Sequence, residues 1–209
     1  MIDALYSGEI GTPKLPVYYV NYIIPPETRV TEITVTNSTT VTYQLEHPVF
    51  PNQHPIPCGL DCVQPPFVTP DQSIYSSSAP FPDIQTAVVN QGYFDGANNI
   101  VQIEVRPFRY FPITNTQVFY SSISFSFSFE QVNDNSIIYS RKRIATNQLI
   151  YDETLQNLVV NTDDIPLYST PPQIISQVKQ NGPVPFYEYA IITKPEFFPA
   201  FKDFIEWKY

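Results

Sequence analysis

The sequence predicts a mainly β fold, an antiparallel β-sandwich of jelly-roll type, followed by a C-terminal βα unit from an α/β domain. Three observations predict it. Ile123, Phe125, Phe127 and Phe129 alternate strictly with Ser122, Ser124, Ser126 and Ser128, and a period of two marks a strand with one buried face. The 209 residues include 15 Tyr, 15 Phe and 22 Pro but 6 Gly; aromatic residues favour strands and prolines punctuate them. Near the end, the apolar run Tyr189-Ala190-Ile191-Ile192 leads into Thr193-Lys194-Pro195-Glu196. Phe197, Phe198, Phe201, Phe204, Ile205 and Lys208 then follow helical spacing.

The elements follow in chain order. Leu15 to Ile24 is a strand beginning after Pro16 and stopped by Pro25-Pro26. Arg29–Thr36 and Thr40–Glu46 alternate around Asn37-Ser38-Thr39, which reads as the turn of a hairpin. His47 to Pro82 shows no period and reads as a meandering surface segment, pinned by Cys58 and Cys62 and by aromatics such as Phe67 and Tyr75. Ile84 to Phe94 is a strand ending at the Asp95-Gly96 turn. Val101–Arg106 and Val118–Glu130 read as two antiparallel core strands. The connection between them carries Pro107 and Pro112, which cannot donate to a ladder, and Thr114-Asn115-Thr116, which supplies turn chemistry.

Val132-Asn133-Asp134-Asn135 is a turn before a short strand, Ser136–Ser140. Arg141-Lys142-Arg143 is the only cationic run. Ile144 to Val160 fits either a strand or a short helix. Asn161 to Pro185, with Asp163-Asp164 solvated within it, is polar and Pro-rich and reads as a linker. The domains are therefore 1–180, the β domain, and 181–209, a strand, a capping box from Thr193 to Glu196, and an amphipathic helix.

Bulk properties exclude some functions. A net charge of -9 argues against a nucleic-acid partner, which needs clustered Lys and Arg. No apolar run approaches a membrane span. Met1-Ile2-Asp3 lacks the basic start of a signal peptide. The chain is thus cytosolic, or secreted and read without its leader; few Lys and abundant Tyr, Asn, Ser and Thr favour the second. Cys58 and Cys62 enclose three residues including Gly59. A disulfide is favoured if their Cα atoms come within about 7 Å, ahead of two free thiols. Metal binding ranks last, since His47 and His54 in a Pro-rich loop are the nearby further ligands. No Ser-His-Asp set, phosphate loop, paired carboxylates or cofactor motif is recognisable, and the two histidines read as loop residues.

Two stretches carry a family resemblance. Pro107, Tyr110 and Pro112 between two alternating strands resemble the end of the propeptide of gingipain-type cysteine peptidases, family C25, with Phe111 where the family usually has Asn. Tyr75-Ser76-Ser77 and Phe81-Pro82 are similar to motifs placed before that family's second set of strands. Tyr189-Ala190-Ile191-Ile192-Thr193, Pro195-Glu196-Phe197, Phe201 and Trp207-Lys208 resemble the start of the C25 catalytic domain.

The resemblance implies a propeptide over roughly 8–180, joined to the first strand and helix of the peptidase. It would act as an intramolecular chaperone and inhibitor of a secreted or cell-surface cysteine peptidase, its cognate partner. It implies that the catalytic Cys and His lie downstream, so no residue here is catalytic, Cys58 and Cys62 included. The family places a basic side chain in the S1 pocket, which makes Arg109 and the Arg141, Lys142, Arg143 run inhibitory or cleavage candidates. The run is the more accessible of the two. Arg106 and the other cations also fit plain surface charge. Lys179 is the boundary cleavage candidate by position. The alternatives are an extracellular sandwich that binds a carbohydrate or protein ligand in adhesion, or an inactive C25-like secretion-system component.

Overall fold

Period-two alternation does produce strands, but the longest ladder joins segments that the sequence keeps far apart. The computed structural model describes residues 5–56, 64–96, 98–132, 142–143, 145–169, 173–174 and 193–204. The chain forms two compact units, Met1–Ile175 and Ser176–Tyr209.

In the first unit, β1 (Leu5–Ser7), β2 (Leu15–Ile23), β3 (Thr28–Gln44), the short helix α1 (Gln72–Tyr75), β4 (Thr86–Phe94), β5 (Asn98–Val105), β6 (Phe108–Phe111) and β7 (Thr116–Gln131) follow in order. They build two antiparallel sheets, ordered β1-β2-β5-β4 and β3-β7-β6. After them come β8 (Lys142–Arg143), helix α2 (Ala145–Leu158), a 3-10 turn at Thr162–Asp164, helix α3 (Ile165–Tyr168) and β9 (Gln173–Ile174).

The expected hairpin at Asn37-Ser38-Thr39 is absent. Those residues lie inside the single 17-residue strand β3, paired to Ser124, Ile123 and Ser122 of β7. Register shifts between Val30/Glu32, Val35/Asn37 and Thr39/Thr40 absorb what would otherwise have been a turn, because a bulge accommodates an extra residue without ending the strand. The pairing expected between Val101–Arg106 and Val118–Glu130 is also absent. β5 pairs with β2 and β4, and β7 pairs with β3 and β6. At Pro107 the chain leaves one sheet for the other, and its supposed loop contains the strand β6.

The face assignment holds in the middle of β7. Tyr22 meets Phe125 and Phe127 edge-on, with ring centroids 5.7 and 5.4 Å apart. These rings pack on Ile24, Val30, Val101 and Ile103 between the sheets, while Ser124 and Ser126 face outward, exposed. Burial raises the Tyr22 phenol above its ordinary value. The apolar face fades at Phe129, which is 44% exposed beside the bulge next to Val30.

Residues 145–158, equally strand or helix by sequence, are helical. Leu155 and Val159 pack on Ile23 and Ile100, with Phe94, Ile165 and Tyr168 alongside. The four-stranded sheet is thus covered on both faces, which explains why β5 is buried along almost its whole length.

The linker expected from Asn161 does not begin there. Asn161 accepts from the Ile23 N–H at 2.9 Å and donates to the Ile23 carbonyl at 2.9 Å and to Asp164 at 2.8 Å. The Val160 N–H donates to the Asn21 carbonyl. This segment therefore closes the outer edge of β2, and Asp164 belongs to the folded turn rather than to a solvated linker.

In the second unit a 3-10 helix, Pro195–Phe201, is capped by Lys194 with no side-chain cap bond. The expected Thr193–Glu196 capping box does not form. Lys194 precedes a proline and takes an extended conformation, which makes it the cap in place of Thr193. Glu196 instead faces Lys194 at 3.9 Å. Pro199 lies inside the helix and removes a backbone donor there, which disfavours regular α geometry. The strand expected before Thr193 lies outside the described residues, as does the strand at Ser136–Ser140. No helix among the described residues is long and apolar enough to cross a membrane.

Candidate functional site

A polar cluster held by several hydrogen bonds surrounds the Pro107–Pro112 stretch. Tyr110, on β6, is 1% exposed. Its backbone exchanges both hydrogen bonds with Phe81, at 2.7 and 2.8 Å. Its hydroxyl donates to Asn115 Oδ1 at 3.0 Å, and Asn115 Nδ2 donates to the Leu45 carbonyl at 2.8 Å. Leu45 N–H in turn donates to the Asn115 carbonyl. Asn115 sits at φ 49°, a left-handed turn conformation that Asn tolerates. It therefore ties the β6–β7 turn to the end of β3.

Tyr75, at the end of α1, packs edge-on against Tyr110 and donates to the Val49 carbonyl at 2.6 Å. Burial, and then the neighbouring Tyr110, push its phenol up to about 12. The Tyr110 phenol is raised as well, by burial.

Two arginines grip one backbone stretch. Arg109 Nε donates to the Pro82 carbonyl and Nη2 to the Asp83 carbonyl, each at 3.2 Å. Arg106 Nη1 donates to the Ile84 carbonyl at 3.3 Å, and its Nε pairs with the buried Glu104 at 2.5 Å. The Tyr19 hydroxyl donates to the other Glu104 oxygen at 3.1 Å. Beside this clamp opens a cleft of about 260 Å3, walled by Leu15, Val17, Ile74 and Phe81, with Asp83 and Arg106 on its polar side. Among the described residues no Cys or His lines it. The arrangement is suited to holding a surface in shape.

In the segment from His47 to Pro82, expected to meander, the described residues 47–56 and 64–82 are knitted into the fold. Gly11 N–H donates to the Asn52 carbonyl, Asn52 N–H to the Thr12 carbonyl, and Asp71 N–H to the Gly11 carbonyl. Asn52 is buried and its amide donates to Thr12 Oγ1. Gly8, at φ +139°, allows this close approach, since a Cβ there would lie 2.6 Å from the Asn52 amide.

The sequence profile of the C25 propeptide family, Propeptide_C25, matches residues 1–158. The chain belongs to that family. In fold, this C25 propeptide is similar to the complex of the RgpB pro- and mature domains of Porphyromonas gingivalis. The TM-score is 0.56 at 18% identity, over 76% of this chain and 77% of that one. It is also similar to the structure on zymogenic latency of gingipain K from the same organism, with a TM-score of 0.49 at 20% identity, over 62% and 71% of the two chains. No curated protein matches the sequence.

The sequence-predicted site residues of the C25 propeptide do not gather in one place. Arg109 is a strand residue of β6 whose guanidinium already binds the two carbonyls of Pro82 and Asp83. Lys142 and Arg143 form β8, paired in parallel with Gln173 and Ile174. Arg141, Lys179, Cys58 and Cys62 lie outside the described residues. His47 and His54 are exposed, and His54 lines a shallow pocket with Phe50 and Phe67. Among the described residues, no three His, Cys, Asp or Glu gather as a metal would require. Sequence reasoning missed Asn52, Glu104 and Asn161. Only the placement of Asn beside Pro or turn residues hinted at two of them.

Proposed function

We propose that this chain is the prodomain of a secreted C25-type cysteine peptidase, assisting the folding of that domain and holding it inactive. Membership of the propeptide family over residues 1–158 carries the proposal. The fold likeness to a pro–mature complex supports it. On this reading the fragment has no catalytic residue and its partner is the cognate peptidase domain. Residues 181–209 are the opening strand and helix of that domain, in keeping with the separate compact unit that begins at Ser176.

The inhibitory contact is assigned to Arg141-Lys142-Arg143 rather than to Arg109, because the Arg109 side chain is already used to hold Pro82 and Asp83. A cut after Lys179 would release the mature domain.

The test is inhibition of the separately expressed peptidase domain by this chain. Replacing Arg141, Lys142 and Arg143 by Gln is expected to weaken inhibition at least tenfold, about 1.4 kcal/mol. No inhibition by the wild-type chain overturns the proposal. If the triple variant inhibits normally while a folded Arg109→Ala chain does not, the inhibitory residue is Arg109. N-terminal sequencing of the mature domain checks the cut at Lys179.

A further inference from the structure

We infer that the outer edge of β3 is a self-association site, at which a second copy of this chain adds its own β3 in antiparallel register. Among the described residues β3 ends its sheet, with β7 on its inner side alone. Among the described residues its outer edge is closed at Thr28, whose carbonyl accepts from the Asn99 amide at 2.7 Å, and at Val30, whose N–H and carbonyl are both held by the Gln91 amide, at 2.9 and 3.3 Å. From Glu32 to Gln44 the backbone has no partner except β7 among the described residues. Every residue from Thr36 to Gln44 is exposed, and Val41 and Tyr43 are 44% and 48% exposed.

Exposed edges in natural proteins carry Lys, Pro, bulges or covering loops that prevent pairing. The stretch Asn37-Ser38-Thr39-Thr40-Val41-Thr42-Tyr43-Gln44 has no charge, no Pro and no Gly. The register shifts at Val30/Glu32 and Val35/Asn37 leave extra residues on β3, but the one at Thr39/Thr40 leaves its extra residue, Ser121, on β7. The β3 backbone is therefore uninterrupted from Asn37 to Gln44. β-branched and aromatic residues make it a good strand surface.

Charge selects the occupant. The chain carries a net charge of -9, so two copies repel over most of their surface. The run Ile33 to Leu45 is neutral, so an antiparallel twofold centred on the middle of Asn37–Gln44 sets neutral side chains opposite neutral ones over that stretch. Thr–Thr cross-strand pairs are favourable. A twofold antiparallel edge is also isologous and closes at two copies. The joined sheet would have six strands and would cover Val41 and Tyr43. The contact is small, which places the dimer at the weak, concentration-dependent end of protein association. This site is independent of the prodomain reading.

Sedimentation velocity on the full 209-residue chain, run under reducing conditions over a concentration series, is expected to show a monomer–dimer equilibrium. The double variant Thr40→Lys/Thr42→Lys, with far-UV circular dichroism unchanged, is expected to weaken it at least tenfold. Hydrogen exchange on the wild-type chain is expected to show protection that rises with concentration at residues 37–44, and it needs no variant. A chain that stays monomeric throughout, a dimer indifferent to the two lysines, or concentration-dependent protection confined to another segment overturns the inference.

Discussion

Replacing Asn161 by Ala removes the side chain that closes the β2 edge. Ile23 is 1% exposed, and its N–H and carbonyl both lose their partner, since each bonds Asn161 at 2.9 Å. A buried backbone group left unsatisfied costs about 1–3 kcal/mol. Two such groups, with partial relief from entering water, give about 2–4 kcal/mol for Asn161→Ala. The lost bond to Asp164 adds little, because that carboxylate reaches solvent. The assay is urea unfolding followed by far-UV circular dichroism, comparing midpoints at unchanged slope. Asp163→Ala, two residues on and exposed, is the control and is expected within about 0.5 kcal/mol of wild type. If Asn161→Ala is as silent as Asp163→Ala, the segment is a linker and the edge-closing argument fails.

Phe125→Ala is expected to cost about 3 kcal/mol, and Ser124→Ala or Ser126→Ala almost nothing; equal midpoint shifts would reject the register of β7. Tyr75 is held neutral in the fold, with its phenol raised from 10.0 to about 12. Its stabilising effect is therefore complete below pH 10 and is lost as pH rises through about 12. Tyr75→Phe is expected to be less stable at neutral pH, by about 1 kcal/mol for the lost bond to Val49, yet to lose less stability over that alkaline window. An unchanged alkaline slope refutes this, allowing for the part that Tyr110 and Tyr22 retain. Cys58 and Cys62 are expected to form a disulfide, so reduction is expected to raise the intact mass by about two hydrogens; no change refutes it.

What the residues reveal locally, the fold largely keeps. β5 and β7 follow from alternation, because a half-buried strand writes its faces into the sequence, and β2 and β4 follow from strand-forming runs stopped by Pro25-Pro26 and Asp95-Gly96. Partnership is another matter. Val101–Arg106 and Val118–Glu130 are neighbours in the chain, yet Pro107 sends them into different sheets, and no period distinguishes a hairpin from a crossing. Asn37-Ser38-Thr39 carries turn chemistry that a long strand overrode, because pairing with Ser122–Ser124 satisfies more backbone groups than a turn would. Ile144 to Val160 stayed ambiguous because the core contacts among its described residues cluster at Leu155, Leu158 and Val159 and mark no period. At the candidate site, Tyr110 and its turn were legible, and the clamp was not. Arg106 and Arg109 read as charges facing solvent or a partner, because carbonyls at Pro82, Asp83 and Ile84 have no signature in the sequence. Asn161 was unreadable for the same reason: its partner is the backbone of a strand 138 residues away.

The β3–β7 ladder also sets an order of events for the newborn chain. Its nearest cross-strand contact already spans 72 residues, at Gln44 and Thr116. The β4–β5 hairpin, by contrast, closes over the few residues between Phe94 and Asn98. Local pairs pay little loop-closure entropy, and distant ones must pay it before any contact repays them. β3 therefore cannot begin this pairing until Thr116 has been synthesised, nor complete it until Gln131 has. During that interval seventeen residues of strand-forming sequence are open to whatever meets them. A long ladder whose partner is made so late leaves a strand edge exposed during synthesis, where unpaired edges favour association.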